Sequence, residues 1–429
     1  MSDHQEPSPP STNAAADARM IEFAWHAPPS ENGSHAQRRN GSQPPSLEQA
    51  SQRPSRSLRI LTTMRLSSTS SKSKIVRVAP NELHIADPHS YKVYPQDAPP
   101  PKLERFYTAF PSLNTVFSET DLSKHRERRK LMNPLFSKAM ALKLEPLIWE
   151  RMSLLFKKID GLSVRGPINF MDATRCMTAD IMTQLLFWKP LELTHESEDS
   201  FYASFLALLD SSIDVPQWLY FQGWLRAIYT YTPFLIPLLA ESCLQEYKEN
   251  PASSRYPVLF DHLQSIPADQ QISEGVSTLI AGSDTTAITT GFAIVSPATR
   301  RDGVSACVRE GGSPTRDART GRHPRVFPEN GQPLIIDGKL IPPGASIIHP
   351  IFSTEQELTF SQTIIGASAY SVHMDESIWG PNAESFIPER WLGGDKMKEL
   401  DKHLLTFSKG ARACIGINLA HAEVFYMLA

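Results

Sequence analysis

Phe407-Ser408-Lys409-Gly410-Ala411-Arg412-Ala413-Cys414-Ile415-Gly416 is the stretch on which the reading of this chain turns. It sets a phenylalanine, a glycine, an arginine, a cysteine and a second glycine at fixed spacing, FxxGxRxCxG. It then runs into Asn418, Leu419, Ala420, Glu423 and Val424, a helical pattern. A cysteine just ahead of a helix lies near that helix's unpaired N-terminal amides, which favour a thiolate. Glycines on both sides let the backbone come close to a flat partner. In isolation a buried cysteine is more often a small core hydrophobe than a ligand, so Cys414 stands or falls with its neighbours.

Working outward, Leu279-Ile280-Ala281-Gly282-Ser283-Asp284-Thr285-Thr286-Ala287 places small and hydroxyl residues inside an apolar helical run. Helix interiors disfavour glycine and gain little from Thr-Thr, so another demand must hold them there. Ser283-Asp284 also fits the N-cap of a new helix. Between Glu104 and Ile280 the apolar spacing is mostly helical, as at Leu131, Leu135, Ala139 and Leu142 and around Ile181, Leu185 and Leu186. Strand signals are few. Ile75–Val78 and Leu83–Ile85 flank Pro80-Asn81 as a hairpin, and Leu334–Ile336 and Leu340-Ile341 flank the turn dipeptide Asp337-Gly338. The fold class is therefore mainly α with a small β-sheet region.

Composition sets the outer limits. The 429 residues are 41% hydrophobic and 21% charged, ordinary for a globular chain, and the formal charge of −3 gives no ground for a nucleic-acid partner. Cys176, Cys243, Cys307 and Cys414 lie far apart with no CxxC pair, which argues against a disulfide scaffold or zinc finger and suits a reducing compartment. No run of about 18 apolar residues and no secretory signal is present in the sequence. Residues 1–72, dominated by Ser, Pro, Gln, Asn, Gly and Arg, are expected to form a disordered tail, with only a faint likeness to a transit peptide.

FxxGxRxCxG is the haem-binding signature of cytochromes P450, and the chain resembles that family over about Ser73 to Ser296 and Pro324 to Ala429. The resemblance implies a cytochrome P450 domain over 73–429 whose haem iron is held by the Cys414 thiolate, which would favour O–O cleavage. It implies that Arg412 meets a haem propionate and that Phe407 belongs to the cofactor loop. Ala281–Thr286 resembles the family's oxygen-binding helix, where the small pair leaves space for dioxygen and Asp284 and Thr285 handle protons. His125 with Arg129, four residues apart, resembles a family pair that reaches a propionate, although His125–Lys130 also reads as an exposed basic helix face. His323-Pro324-Arg325-Val326 with Ile341-Pro342-Pro343-Gly344 resembles the stretch from which an arginine, here Arg325, reaches the haem. Phe386–Trp391 matches the family's FxPERW segment.

The implied reaction is insertion of one oxygen atom from O2 into an apolar small molecule. Electrons would come from NADPH through NADPH-cytochrome P450 reductase, at the endoplasmic reticulum membrane. Lys74–Ile85 and Gly416–Ala420 look like fungal enzymes of secondary metabolism, similar to trichodiene oxygenases, which points to a terpenoid substrate.

The sequence also departs from the family. No ExxR helix is found: Cys307-Val308-Arg309-Glu310 starts like one, but Gly311-Gly312-Ser313 follows. Arg390, expected to join that helix in a buried salt-bridge cluster, would cost about 3–5 kcal/mol if buried alone. The domain is thus expected to be disrupted at about 296–322. Gly344-Ala345-Ser346 recurs as Gly366-Ala367-Ser368, so about 347–365 reads as an insertion. An N-terminal anchor and the C-terminal hairpin are expected to be missing, together implying misassembled exons or a decayed gene. Two rivals to the monooxygenase follow: a non-catalytic remnant lacking the ExxR helix, and a reductase-independent haem-thiolate isomerase or dehydratase.

Overall fold

Ile75–Ala79 (β1) and Glu82–Ile85 (β2) form the expected antiparallel hairpin, with Ile75 opposite Ile85 and an irregularity between Arg77 and Ala79. The computed structural model describes 75–79, 82–85, 87, 325–327, 334–336 and 339–341 and, apart from single residues, 101–210, 235–250, 254–295 and 363–428. The tail at 1–72, the break at 296–322 and residues 347–362 of the presumed insertion lie outside these described residues. Arg325–Phe327 (β3), Leu334–Ile336 (β4), Lys339–Ile341 (β5) and Thr363–Ala367 (β6) complete the strands. β4 and β5 pair antiparallel, as the sequence implies.

β6 corrects one boundary. Thr363, Ile364 and Ile365 fall in the stretch read as inserted, yet β6 lies in the sheet, parallel to β2 and antiparallel to β3 in the order β1-β2-β6-β3. Their β-branched side chains suit a strand flanked on both sides, and Ile364 and Ile365 are buried. The doubled Gly-Ala-Ser tripeptide drew the boundary too late.

The rest is helical, so the fold is mainly α with a small sheet, as expected. A short turn of helix at Glu104–Tyr107 (α1) precedes Leu122–Met132 (α2), Lys138–Lys143 (α3), Glu145–Ser163 (α4) and Phe170–Phe187 (α5). Leu235–Glu249 (α6), Leu259–His262 (α7) and the 28-residue Ala268–Val295 (α8) follow. The C-terminal part holds Ala369–His373 (α9), Glu376–Trp379 (α10), Gly394–His403 (α11) and Ile417–Leu428 (α12). Side-chain caps start several of these: Asp121 accepts from the Lys124 amide at 2.8 Å, Ser137 from Met140 and Asn169 from Met171 and Asp172. The helical spacing from Leu131 to Leu142 does not make one helix. α2 stops at Met132 ahead of Asn133-Pro134, since proline lacks the amide a continuing helix needs, and Ser137 caps a new start.

α5 runs through the middle of the core. From Ala173 to Thr183 every residue is buried, and α4, α6, α7 and α8 all pack on it. Its buried polar groups are satisfied: Asp180 accepts from the amides of Leu193 and Thr194 and from the Thr194 hydroxyl, at 2.8, 3.1 and 2.8 Å. α4 contributes Leu147, Ile148, Met152 and Leu155, each 1% exposed or less, for which truncation to alanine costs about 2–5 kcal/mol. α12 packs on α3, α4 and α8, bringing the C-terminal cysteine segment against the long helix.

Candidate active site

The loop before α12 is shaped by two left-handed residues, Ser408 at φ 56° and Gly410 at φ 73°. They turn the chain so that the Cys414 amide donates back to the Phe407 carbonyl at 2.8 Å. The Phe407 ring meets the His421 ring edge-on at 4.9 Å, fastening the loop to the first turns of α12. Asn418 Nδ2 donates to the Phe136 carbonyl at 2.9 Å and ties α12 to the segment after α2. The amides of Gly416 and Ile417 donate to the Cys414 sulfur. Burial raises the thiol pKa, while those amides and the nearby Arg129 charge pull it down. Cys414 is nevertheless exposed, whereas Cys176 and Cys243 are buried, with burial pushing Cys176 up to about 12. Among the described cysteines Cys414 is the one open to a ligand.

Two arginines converge on this loop. Arg129 Nη1 donates to the Ala413 carbonyl at 2.5 Å, and burial lowers its pKa while the Cys414 charge raises it. Arg412 donates from Nη1 to the Glu119 carbonyl at 2.8 Å and from Nη2 to the Thr120 carbonyl at 3.2 Å. His125, one turn before Arg129, is buried, while Arg126, Glu127 and Lys130 are exposed. α2 is therefore a solvated basic face on one side and a set of inward contacts on the other. Between the two, Arg128 pairs with Glu274 of α8 at 3.3 Å and with Gln270 at 3.0 Å. Glu274 also accepts from the Val116 amide with both oxygens, and burial pushes its pKa up to about 7. Arg325 opens β3, opposite Ile365; only its backbone belongs to the described structure.

α8 continues unbroken through Ser283-Asp284, so the alternative of a new N-cap there is overturned. Its residues divide by angle, since successive positions turn about 100°. Ala281 and Thr285 are exposed on one side, and the Thr285 hydroxyl donates to the Ala281 carbonyl at 2.8 Å. Gly275, Gly282 and Gly291 face α5, where an added Cβ would come within 2.6 Å of Phe187, 2.6 Å of Met182 and 3.1 Å of Met171. Gly282 thus answers a different demand from the one expected of it: it lets two helices approach rather than leaving space for dioxygen. Asp284 is 7% exposed, and its Oδ1 accepts from Arg175 Nε at 2.5 Å. Asp284 and Thr285, neighbours in sequence, thus point to different sides of α8.

The tail of the chain supplies support. The His373 ring accepts from the Leu405 amide at 2.9 Å and packs edge-on against Trp379, which with Ala383, Trp391 and Leu400 forms a small second core. Arg390 is half-buried and donates to the Asn382 carbonyl, so the cost of a lone buried charge does not arise. Sequence reading passed over Arg175 and Glu274 and took Glu423 only as part of a helical pattern. A charged residue within an apolar helical face was the available signal for each.

These residues fit a haem. They offer one soft, exposed sulfur donor at a helix start and two guanidinium groups at its loop. Gly416 lies where even an added Cβ would stay 3.9 Å from the sulfur. Fold and loop together define a mainly helical protein whose exposed cysteine loop suits a thiolate-held haem. The family model for cytochrome P450 matches residues 75–311 and 361–429, well over half of the chain, and the chain belongs to that family of oxidoreductases. The match extends past Ser296 to residue 311 and omits 312–360, the stretch that holds Arg325.

The chain is 28% identical to the cytochrome P450 monooxygenase claJ of Penicillium crustosum, over 83% of this chain and 89% of that one. It is 27% identical to the cytochrome P450 monooxygenase aneF of Aspergillus aculeatus, over 83% and 79%. Identity to the N-acetyltryptophan 6-hydroxylase ivoC of Emericella nidulans is 25%, over 83% and 76%. A crystal structure of the cytochrome P450 CYP102L1 superposes with a TM-score of 0.67 at 16% identity, covering 86% of each chain. Among the described residues, no helix is long and apolar enough to cross a membrane.

Proposed function

We propose that this chain is a haem-thiolate monooxygenase that inserts one oxygen atom of O2 into an apolar small molecule. The overall balance is substrate, O2, NADPH and a proton giving hydroxylated substrate, water and NADP+, with NADPH-cytochrome P450 reductase delivering the electrons. The observation that carries the reading is Cys414: exposed, just ahead of α12, with two amides on its sulfur and Arg129 beside it. A bound haem supplies the oxygen chemistry, and the thiolate tunes it by pushing electron density onto iron.

The chain's own groups would divide the remaining work. Cys414 holds the iron. Arg129 and Arg412, whose guanidinium groups now hold neutral carbonyls, would exchange those for cofactor carboxylates, a stronger charge-assisted bond. His125 and Arg325 are assigned to the same task and Phe407 to shaping the cofactor loop. Thr285 spends its proton on the Ala281 carbonyl, leaving its oxygen free to accept from a water on the open side. Asp284 is assigned the acid–base role. A terpenoid substrate in fungal secondary metabolism and an endoplasmic reticulum membrane location complete the proposal, the first resting on the resemblance of Lys74–Ile85 and Gly416–Ala420 to enzymes similar to trichodiene oxygenases.

The chain expressed with haem should give, once reduced and exposed to carbon monoxide, a strongly red-shifted Soret band that Cys414→Ala abolishes. Absence of that band from the wild type would overturn the proposal and favour a non-catalytic remnant.

A further inference from the structure

α6, α7 and the first turns of α8 border a cleft of about 430 Å³, within the range of about 300–1,000 Å³ that small-molecule sites occupy. Its walls are apolar and flat. The Tyr247 and Phe260 rings lie 5.6 Å apart at 48°, with Leu244 and Ile266 beside them. The polar groups are few and each is distinct. Lys248, exposed on the last turn of α6, brings a cation that has no ion pair among the described residues. Ala268 opens α8, whose first amides have no intrahelical acceptor and favour an anion; the opposing charge of Asp269 on the same turn is exposed to solvent. Gln271 is 6% exposed, and its Nε2 donates to the Ile266 carbonyl at 2.8 Å. That bond fixes the loop into α8 and leaves Oε1 an acceptor without a partner among the described residues. The Tyr247 hydroxyl donates to Asp261, and burial with that bond pushes its pKa up to about 12, so a neutral phenol faces the cleft.

We propose that this cleft is a second small-molecule site, separate from the cofactor loop, for a flat ring compound that carries a carboxylate and a hydroxyl. The ring lies against Tyr247 and Phe260, the carboxylate meets Lys248 and the opening turn of α8, and the hydroxyl donates to Gln271 Oε1. Each choice follows from what the walls lack. A lone ammonium beside a helix start calls for an anion, and a buried acceptor without a donor calls for a hydroxyl. A neutral hydrocarbon would answer neither, and a cation would meet Lys248 with like charge. No lining residue belongs to the Cys414 loop or to the Ala281–Thr285 strip, so the site goes beyond the monooxygenase reading and does not depend on it. An occupant touches α6, α7 and α8 together and stabilises the fold by mass action.

The test uses the full chain supplied with haem, its iron site blocked by saturating 4-phenylimidazole, and 6-hydroxynaphthalene-2-carboxylate as the probe, read by equilibrium dialysis and by melting temperature. Wild type should bind one equivalent with a Kd on the order of 100 µM and melt higher with the probe than without it. Lys248→Glu should weaken binding about tenfold, whereas Lys157→Glu, the same charge change at an exposed position on α4, should leave it unchanged. Ala268→Trp, also at an exposed position, puts a large side chain into the cleft and should remove binding and the melting shift together. Naphthalene-2-carboxylate, which lacks the hydroxyl, should bind wild type about threefold more weakly, and Gln271→Leu should bring the hydroxylated probe down to the same affinity. If Gln271→Leu does not fold, the two naphthoates on wild type and the variants at the exposed positions decide. No saturable binding by wild type, binding that either Lys248→Glu or Ala268→Trp leaves unchanged, or equal weakening by Lys157→Glu overturns the proposal and leaves the haem reading untouched. Equal affinity for the two naphthoates overturns the role of Gln271. A wild type without the red-shifted Soret band overturns the haem reading alone, and the same dialysis still decides this site.

Discussion

Cys414 makes its hydrogen bonds within a few residues, its amide donating to the Phe407 carbonyl and its sulfur accepting from the amides of Gly416 and Ile417, while Asp284 is held by an arginine 109 residues earlier on another helix. The two regions that carry the candidate chemistry therefore differ in emphasis, although Arg129, Arg412 and Asn418 also tie the loop and the start of α12 to residues far off in sequence. The loop before α12 is preorganised by local turn geometry and a helix start. The middle of α8 is preorganised by packing, with glycines, threonines and an ion pair aligned against α5. Local preorganisation survives distant substitutions, whereas packed preorganisation responds to any change along the seam.

Each region also buries one glutamate, and these give the largest expected effects. Glu274 on α8 has Arg128 and the Val116 amide, and burial still pushes it up to about 7. Glu423 on α12 is 1% exposed, its Oε2 has no hydrogen-bond partner among the described residues, and burial alone pushes it up to about 8. Both folded values lie above the ordinary 4.5 of the unfolded chain. The folded state therefore holds the proton more tightly, and stability is lost as pH rises from 4.5 through the folded pKa. Glu423 alone should cost up to about 5 kcal/mol between pH 4.5 and 8, and Glu274 about 3 kcal/mol, complete near pH 7. Urea unfolding at a series of pH values should show Glu423→Gln removing the larger total loss of stability and Glu274→Gln the smaller, each group giving the same slope per pH unit while it titrates. Equal total losses would break the distinction between a partnered and a lone buried carboxyl.

Glycine substitutions probe the same contrast at a smaller scale. Gly275→Val drives a side chain into the ring of Phe187, itself fully buried, and should destabilise by about 3 kcal/mol. Gly282→Ala should cost less, because it meets the thioether end of Met182, which can swing aside. Gly416→Ala makes an ordinary contact at 3.9 Å and should stay within about 0.5 kcal/mol of wild type. Thermal unfolding orders the three. A Gly416 effect as large as that at Gly275 would mean that the loop, too, is held by packing.

The contrast also explains what could be read from sequence. The Cys414 loop was legible because its physics is local: fixed glycines, an arginine and a helix start lie within a few residues. The two hairpins were legible for the same reason, each with its turn residues between strands. Ala281–Thr286 was legible as a helical motif but not in its orientation. Which of its residues face outward depends on Phe187, Met182 and Arg175, and no periodicity within α8 names those partners. The insertion boundary failed similarly, because Thr363–Ile365 becomes a strand only by pairing with β2 and β3, both distant in sequence.

A further pair of small effects isolates local geometry from packing altogether. Gly410 sits at φ 73°, where a Cβ is strained whatever the space around it, so Gly410→Ala should cost about 1 kcal/mol. Gly161, near the end of α4, has nothing within 4 Å of an added Cβ and an ordinary helical backbone. There the same substitution should stabilise by about 0.5 kcal/mol through helix propensity. Opposite signs for one chemical change, read by urea unfolding, would show that the loop depends on backbone conformation. Ser408 already occupies the left-handed region at φ 56° without being glycine, so the loop tolerates some strain of this kind. If Gly410→Ala proved neutral, the turn would be held by its hydrogen bond from Cys414 to Phe407 and the Phe407–His421 contact, and the glycine's role would shift from conformation to close approach of the backbone.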